Sequence, residues 1–548
     1  MTKTDPLVAI RTRNLTTPQN EPAHPDQVKN SAGGFTFGIT DDARLQRFLT
    51  LGVDGGTYYV GASELAKDNA GIVLDMARDR PLDLVRAIVE ISIAGRAPRQ
   101  GPALFALAAV ASLGDNHGRR AALVALPAVA RTGTHLFTFV RYVEQFRGWG
   151  RGMRRAVSNW YLNKSVHDLE YQVVKYRNRE GWTHRDLLRL AHPVPDSEAR
   201  DELFSWICEP CGNFTSSNGL YLVEAFTRAQ TASPREVARM ITDGVGLSWE
   251  MLPDSALAEP VVWEALLDAD MPQTALIRQL PRLTRLGLLD PFGHRATAVA
   301  VQLTSPERLR QARVHPISVL LAQRTYASGH SARGATSWTP SRIIVDALDE
   351  AFYASFGAVE PSGERMLLAL DVSGSMGQQI SGMPITCREA SAALALVTAA
   401  TESRHVILGF TRADSGYCGG LWGGGSPTLT PLSISPRQRL DDAVGAVSSL
   451  PFGGTDCALP MIYAMKRNLE IDTFVIYTDN ETWAGAIHPH EALAQYRDAS
   501  GIDARLAVVG MTATEFSIAD PSDAGMLDIA GMDATVPSLI ADFSRGDL

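Results

Sequence analysis

The 548-residue chain is 45% hydrophobic and 20% charged, which is typical of a folded globular protein and excludes a mostly disordered or fibrous one. Its five cysteines are too few for a disulfide framework, so we expect a reducing compartment. No stretch reaches the roughly 18 apolar residues of a membrane span, and the polar first residues lack a signal-peptide core. These features favour a cytoplasmic protein with roughly two to four domains.

The formal net charge of −9 is unevenly distributed along the chain. Residues 364–548 carry a balance of −11, whereas residues 1–363 carry +2. Within the latter, residues 147–191 hold ten basic and four acidic side chains. A polyanion responds to the local field and not to the total charge, so the acidic total does not exclude nucleic acid as a partner.

The first 360 residues predict a polar arm followed by a helical domain. Residues 1–29 are rich in Pro, Asn, Gln and Thr and predict a flexible or surface-draped arm. From 30 to 360 apolar residues recur at helical spacing between short turns, which favours stacked helix pairs. The clearest helices are predicted at 71–78, 82–91, 103–111, 121–130, 187–190, 234–242, 259–268, 273–288, 305–314 and 341–355. A capping box at Thr183 and Asp186 precedes the fifth of these.

A second domain is predicted over residues 364–548. Near residues 357–365 the pattern changes, and strands and helices then alternate, which predicts a parallel doubly wound sheet. Strands are predicted at 366–371, 405–410, 473–478 and 504–510. Helices are predicted near 387–403, 436–449, 456–468, 489–500 and 535–544. The glycine-rich stretch at 415–425 is predicted to be a long loop, to which the sequence assigns no role.

Oxygen-bearing side chains follow two of these predicted strands and one turn. Asp371, Ser373 and Ser375 follow the first strand, Thr455 lies in a Gly-Gly-Thr-Asp turn, and Asp479 follows the third strand. In an open α/β sheet ligands bind at the carboxyl ends of the strands. Five oxygen donors without a thiol or imidazole suit Mg²⁺, or Mn²⁺, and do not suit Zn²⁺.

Other metal or catalytic patterns are weaker. Cys208 and Cys211 form a single C-x-x-C with only His192 near in sequence, which is too few ligands for zinc. The segment from His488 to Glu491 is predicted to be the structural start of a helix. Two carboxylates could support a metal-dependent nuclease, but a second cation would need more of them. We therefore predict a ligand-holding site, whose open position takes a carboxylate, a phosphate or water, and no enzymatic activity.

Two basic stretches in the helical domain carry aromatic neighbours. The first contains Arg151, Arg154 and Arg155, and the second contains Lys175 and Arg179, with His192 further on. Lys175 and Arg179 are four residues apart and are predicted to share a helix face. Cations beside aromatic rings fit single-stranded or irregular RNA better than duplex DNA. The alternative is a solvated basic helix whose tryptophans lie in the core.

A set of separate motifs resembles the Ro autoantigen family, which combines a TROVE module with a von Willebrand factor A domain. In the helical domain these motifs are Gly33–Phe37, Arg44–Leu49, Gly55–Tyr59, Thr134–Phe139, Lys175–Trp182, Asp186–His192 and Arg313–Pro316. In the second domain they are Asp371–Ser375, Gly453–Cys457, Leu459–Met461 and Thr478–Thr482. The resemblance covers about residues 27–548 and is weakest over 200–260 and in the loop at 411–433.

The resemblance implies a ring of HEAT-like helical repeats closed by the von Willebrand factor A domain, in a monomeric protein. It implies a metal-ion-dependent adhesion site with Ser373, Ser375 and Thr455 as direct ligands and Asp371 and Asp479 bound directly or through water. Among the basic residues, Lys175, Arg179 and His192 match the family's RNA-contacting positions. Arg151, Arg154 and Arg155 are added on charge alone.

The resemblance also implies a function. Members of the family bind small noncoding Y RNAs on a basic outer surface and take single-stranded 3′ ends of misfolded RNAs through the central hole. In bacteria they are associated with an exoribonuclease, with the Y RNA as tether. Two other readings stay open, namely a metal-dependent protein-interaction scaffold without a specific RNA role and a metal-dependent nuclease.

Overall fold

The computed structural model describes residues 16–51, 62–95, 100–210, 212–331, 335–380, 383–412, 427–435, 437–450, 453–511, 514–531 and 536–547. The described chain forms two compact units. The helical unit comprises residues 48–51 and 66–358, and the α/β unit comprises residues 16–47, 62–65 and 359–547.

Helices make up most of the first unit and alternate with strands in the second. In chain order they are α1 (Asp41–Leu51), α2 (Ala62–Asp79), α3 (Pro81–Ile93), α4 (Gly101–Leu113), α5 (Asn116–Val129), α6 (Gly133–Phe146), α7 (Arg151–Leu162), α8 (Val166–Lys175), α9 (His184–Ala191), α10 (Glu198–Cys208), α11 (Tyr221–Ala229), α12 (Pro234–Thr242), α13 (Asp254–Leu257), α14 (Pro260–Asp268), α15 (Gln273–Arg285), α16 (His294–Thr304), α17 (Pro306–Gln311), α18 (Pro316–Ala327), α19 (Arg342–Ala354), α20 (Cys387–Thr401), α21 (Leu440–Ser448), α22 (Leu459–Arg467), α23 (Pro489–Ser500) and α24 (Val536–Arg545). None of the described helices combines the length and apolar character that crossing a membrane would require.

The strands of the described residues form three sheets. In chain order they are β1 (Gln27–Lys29), β2 (Phe35–Gly38), β3 (Asn178–Arg179), β4 (Trp182–Thr183), β5 (Met366–Asp371), β6 (His405–Arg412), β7 (Pro427–Pro431), β8 (Thr473–Thr478), β9 (Arg505–Gly510), β10 (Phe516–Ser517) and β11 (Met526–Ala530). The main sheet has the order β11-β9-β8-β5-β6-β7 and is parallel except for β7, which is antiparallel to β6. The two predicted fold classes, helical and doubly wound α/β, are therefore confirmed.

The helices of the helical unit pack mainly on helices close to them in sequence. The pairs α3 with α5, α4 with α6, α12 with α14 and α18 with α19 are among the most extensive. Helix α4 is apolar on all sides, and its residues from Ala103 to Ser112 are almost all buried, which makes it a core helix. The predicted capping box at Thr183 and Asp186 is present with both of its hydrogen bonds.

The centre of the main sheet positions the ends of β5 and β8 side by side. Both strands are buried along their full length, because apolar helices cover both faces of a parallel sheet. In the parallel register Leu370 lies opposite Tyr477. The residues that follow, Asp371 and Thr478 to Asp479, therefore emerge together at the carboxyl edge.

The segment predicted to be a flexible arm is partly structured. Residues 1–15 lie outside the described residues, but residues 16–38 belong to the α/β unit. Strands β1 and β2 form an antiparallel hairpin, and β2 pairs with β10 to complete a three-stranded sheet. Residues 16–29 follow the surface-draped alternative and not the flexible one, since they are held by the hydrogen bonds of Gln19 and by the β1–β2 hairpin, whose Phe37 packs against His490.

Other differences concern short elements. The sequence predicted no strands in the helical domain, whereas β3 and β4 form a hairpin there. Strands β7, β10 and β11 were also missed, because each spans five residues or fewer. The predicted glycine-rich loop at 415–425 lies outside the described residues.

Candidate metal site and basic surface

The first candidate site begins with Asp371 at the end of β5. Its carboxylate is fully buried and accepts hydrogen bonds from the backbone N–H of Ser373 and from the hydroxyl of Thr478, both at 2.8 Å. The hydroxyl oxygens of Ser373 and Ser375 lie 3.0 Å apart. Three of the five predicted ligands are thus held together by a single turn.

The other two predicted ligands come from neighbouring loops. Asp479 directly follows β8, is 9% exposed and is close enough to raise the pKa of Asp371. Thr455 is 3% exposed, and its carbonyl accepts from the backbone N–H groups of Trp483 and Ala484, both at 3.1 Å, so its loop is fastened to the loop after β8. The structure therefore brings all three sequence pieces to one edge of the sheet.

The electrostatics of this edge fit a divalent cation. Burial, and then the Asp479 carboxylate, raise the pKa of Asp371 above its usual range, because a buried carboxylate beside another is unfavourable. A hard cation held by the two carboxylates and the three hydroxyls would offset that cost. The guanidinium of Arg388 donates to the carbonyl of Ser373 at 3.2 Å, so the site also has a cationic neighbour. Among the described residues, no three His, Cys, Asp or Glu side chains cluster as a metal site, so a cation here would depend on the hydroxyls.

The N-terminal segment braces the loops that carry Thr455 and Asp479. Gln19 is fully buried, and its amide donates to the Asp456 carboxylate at 2.9 Å and to the carbonyl of Ile487 at 2.8 Å. The Thr482 hydroxyl donates to the Gln19 side-chain oxygen at 2.5 Å, and Asn30 donates to the carbonyl of Thr482 at 2.7 Å. These hydrogen bonds fix the positions of both loops, although neither Gln19 nor Asn30 is a predicted metal ligand.

Replacing Gln19 should loosen these loops. We expect Gln19→Ala to destabilise the α/β unit by about 2 kcal/mol, since it removes a buried bond to a carboxylate and leaves other groups unpaired. Hydrogen–deuterium exchange should rise in peptides covering residues 453–460 and 478–487. The matched control is Gln495→Ala on α23, a half-buried glutamine for which we expect no such change. Unchanged exchange in Gln19→Ala would contradict a bracing role.

The structure also shows what becomes of two weaker sequence patterns, the segment from His488 to Glu491 and the cysteine pair Cys208 and Cys211. His488 and Glu491 form a capping box at the start of α23, and the imidazole of His488 lies 2.8 Å from the carbonyl of Glu21, which confirms the predicted structural role. Cys208 is half-buried at the end of α10, whereas Cys211 lies outside the described residues.

The basic surface of the helical unit is carried by α7 and by the segment that follows α8. Helix α7 is amphipathic: Arg151, Arg154 and Arg155 are exposed, while Trp160 and Tyr161 lie in the core. The indole N–H of Trp160 donates to the carbonyl of Ala130 at 2.5 Å. The arginines are therefore available at the surface, and these two aromatic residues are structural.

Lys175 and Arg179 do not share a helix face, contrary to the prediction. Helix α8 ends at Lys175, and Arg179 lies in the hairpin of β3 and β4. The two turn residues, Glu180 and Gly181, have φ values of 55° and 82°. Positive φ at both turn positions is typical of a type I′ turn, for which glycine at the second position is favoured. An x-Glu-Gly-x turn between short β-prone pairs was the signal that could have revealed this hairpin.

The three residues implied by the family resemblance differ in their surroundings. Lys175 is largely buried, donates to the hydroxyl of Tyr171 at 2.7 Å and lies 3.6 Å from the carboxylate of Glu250. Arg179 is 62% exposed, and its only carboxylate neighbour within the described residues is Glu180 at 3.7 Å. His192 is exposed and caps α9 in the left-handed conformation. It lies at the far end of that helix from the hairpin, about 12 Å along the axis.

A groove lies between α5 and α7 with a volume of about 760 Å³. Its lining includes five arginines, of which the sequence analysis named Arg151 and Arg155 as site residues. Arg147 opens the basic region 147–191 but was not named as a site residue, and Arg119 and Arg120 were missed, although they form a visible basic pair at the start of α5. Arg154 is exposed on α7 but does not line the groove.

Comparison with known proteins covers nearly the whole chain. The TROVE domain family model matches residues 28–222 and 221–364, which includes the region 200–260, and the Ro60 vWA domain model matches residues 365–544. The chain is 40% identical over 540 residues to the RNA-binding protein RO60 of Deinococcus radiodurans, covering 97% of this chain and 98% of that one. It is 35% identical over 607 residues to the RNA-binding protein RO60 of Caenorhabditis elegans, covering 97% and 92% respectively.

A solved structure of the same family has a similar fold. The crystal structure of the Deinococcus radiodurans RO (RSR) protein superposes with a TM-score of 0.75 at 39% identity, covering 93% of this chain and 100% of that one. Family models match both units, and the relatives align over almost their entire length. The chain therefore belongs to the Ro family, whose members combine a TROVE domain with a Ro60-type von Willebrand factor A domain.

Proposed function

We propose that this protein binds RNA, and specifically that it holds small noncoding Y-like RNAs and the single-stranded ends of misfolded RNAs. The observation that carries the proposal is the set of exposed arginines on α7 and on the β3–β4 hairpin, Arg151, Arg154, Arg155 and Arg179, with the exposed His192 at the end of α9. The names of the two RO60 relatives, which call them RNA-binding proteins, support the same conclusion. Affinity would come mainly from phosphate contacts and would fall steeply with salt.

The proposed role is that of a scaffold in RNA quality control and not that of an enzyme. In this proposal Asp371, Ser373, Ser375, Thr455 and Asp479 hold Mg²⁺, with Mn²⁺ as a possible substitute, and leave a position for a carboxylate, a phosphate or water. The cation supplies a charged anchor there. The side chains supply its oxygen ligands, and the buried hydrogen bonds of Asp371 fix their orientation. An exoribonuclease would be brought in through the bound RNA.

The test of RNA binding is the double variant Arg154→Ala with Arg179→Ala, two exposed arginines of the proposed surface. We expect it to weaken retention of a folded noncoding RNA by about tenfold or more, since two charge-assisted contacts are lost. A gel-shift titration at several salt concentrations measures the change. The matched control is Arg235→Ala with Arg239→Ala, two exposed arginines four residues apart on α12, which should bind like the unmodified protein.

The contrary outcomes are distinct. If the double variant binds as the unmodified protein does, these residues do not form the contact. If the protein purified from its native host has the ultraviolet ratio of a nucleic-acid-free protein, a protein-interaction scaffold becomes the better description. Magnesium-dependent RNA degradation that disappears in Asp371→Ala would instead show a nuclease.

A further inference from the structure

The groove between α5 and α7 combines a cationic rim with an apolar floor. The rim consists of Arg119, Arg120, Arg147, Arg151 and Arg155. The floor includes Ala111, Leu123, Val124, Pro127, Met153 and Ala156. Such a lining can hold an anion and, beside it, a flat or apolar group.

Within the described residues, the arginines of the rim form no ion pair that would stabilise the fold. No carboxylate of the described chain lies within ion-pairing distance of these five side chains, and the Nε of Arg119 is buried without a hydrogen-bond partner. Asp115, at the start of α5, is occupied as the helix cap, where its side chain accepts from the N–H of Gly118 at 2.7 Å. Guanidinium groups that line one groove without a carboxylate partner among the described residues repel one another, so an anionic ligand in the groove would stabilise this arrangement.

One apolar residue of the lining is exposed, whereas Ala111, Met153 and Ala156 are buried. Val124 is 73% exposed although it is apolar and lies in the middle of α5. Asn159 and Asn163, both exposed, line the groove beyond the arginines of α7 and offer amide donors and acceptors at its end. An apolar platform bordered by amides suits an unstacked base, whose ring packs on the platform while its edge forms hydrogen bonds.

Two tryptophans connect this groove with the hairpin that carries Arg179. Trp149, just before α7, and Trp182, on β4, are half-buried, and their ring centroids lie 6.0 Å apart. Trp182 is the cross-strand partner of Arg179. A nucleic acid strand on the hairpin could therefore continue over the tryptophan pair into the groove.

We propose that the α5–α7 groove binds an unpaired RNA segment, with Arg119, Arg120 and Arg147 on its phosphates and one base on the floor around Val124. This inference rests on the proposed RNA-binding function and adds a separate subsite for single strands. An acidic peptide would also pair with the arginines, but the adjoining pair of half-buried tryptophans favours an occupant whose bases can stack. The groove thus selects for single-stranded over duplex RNA, because a paired base cannot reach its floor.

The sharpest test uses Val124, because its exposure makes a substitution tolerable for folding. Val124→Glu places a carboxylate between the arginines, and Val124→Gln is the control of equal size without the charge. We expect Val124→Glu to weaken the binding of a short fluorescent oligouridine by about tenfold, and Val124→Gln to weaken it far less. Fluorescence anisotropy measures both. Equal affinities for the two variants would overturn the proposal.

A second test removes the cations. The triple variant Arg119→Ala, Arg120→Ala and Arg147→Ala should make the slope of log K against log salt shallower by about 2, since three phosphate contacts to a single strand are lost. Replacing the same residues by lysine should restore the slope. The control, with alanine at the exposed positions Arg228, Arg235 and Arg239, should keep the original slope. The proposed binding of RNA in the groove would be refuted if the salt slope of the control became equally shallow. It would also be refuted if the slope of the triple variant stayed unchanged.

The two functional claims fail in different ways. If the unmodified protein binds neither oligouridine nor folded RNA, the proposed function itself is wrong. If it binds both, and the groove variants bind oligouridine normally, only the groove is wrong. Polyglutamate that competes as well as oligouridine, in the unmodified protein but not in Val124→Glu, would assign the groove to acidic peptides and overturn its assignment to RNA.

Discussion

Mg²⁺ at about 100 times its Kd should stabilise the α/β unit by about 3 kcal/mol, because a cation that binds only the folded state shifts the unfolding equilibrium by mass action. The structural reason is the buried acidic edge, where Asp371 and Asp479 lie close together and the hydroxyls of Ser373 and Ser375 are 3.0 Å apart. Thermal unfolding with and without the metal measures the effect. Hydrogen exchange in β5 and β8 assigns it to this unit.

The variant that checks this is Asp371→Asn, which keeps the shape of the side chain and removes its charge. Its unfolding should no longer respond to Mg²⁺. Asp498→Asn, an exposed position on α23, is the matched control and should respond as the unmodified protein does. If Asp371→Asn were still stabilised by Mg²⁺ to the same extent, the cation would have to bind elsewhere.

The stability of the helical unit should fall as the pH drops from 7 to 5. Burial lowers the pKa of His184 from 6.5 to about 4, and the same cause, assisted at His135 by Arg131, lowers the pKa values of His135 and His315 to about 4. The unfolded chain therefore binds protons first, so that stability present above pH 6.5 is lost as the pH falls towards 4. For His184, which is 3% exposed, the loss by pH 5 is about 2 kcal/mol.

The local geometry explains why His184 stays neutral in the fold. One ring nitrogen lies 2.6 Å from the hydroxyl of Tyr161 and the other lies 3.0 Å from the carbonyl of Tyr176, so both are satisfied without a second proton. In His184→Gln the free energy of unfolding should be lower at pH 7 and should change less between pH 7 and pH 5. His167→Gln, at an 88% exposed side chain, is the control. Urea unfolding at both pH values gives the comparison, and an identical pH dependence in His184→Gln would contradict the prediction.

Most strands of the α/β unit that surround the candidate metal site could be predicted from the local sequence pattern. The predicted strands at 366–371, 405–410, 473–478 and 504–510 are confirmed to within two residues, because buried parallel strands are continuous apolar runs. The same pattern placed Asp371 and Asp479 at strand ends. Because ligands bind at the carboxyl ends of parallel strands, this was enough to predict that Asp371 and Asp479 lie near each other, although they are 108 positions apart in the sequence.

The features that escaped prediction depend on interactions between distant residues or on turn geometry. The hydrogen bonds of Gln19 join residues more than 400 positions apart. The polar sequence around Gln19 contains no pattern that predicts them. The hairpin at Arg179 needed positive φ at two successive residues, which overrode the helical spacing of Lys175 and Arg179. The groove arose from two helices, α5 and α7, whose arginines are about 30 positions apart in the sequence.

The bracing by Gln19 constrains the order in which the protein can be completed on the ribosome. Strands β1 and β2 emerge early, yet β10 and the loops around Asp456 and Thr482, to which this segment binds, are synthesised more than 400 residues later. The helical unit can fold in the meantime, since its contacts lie within its own stretch of chain. The α/β unit is completed only after that, and release of the nascent chain before residue 516 would leave β2 paired with β1 alone.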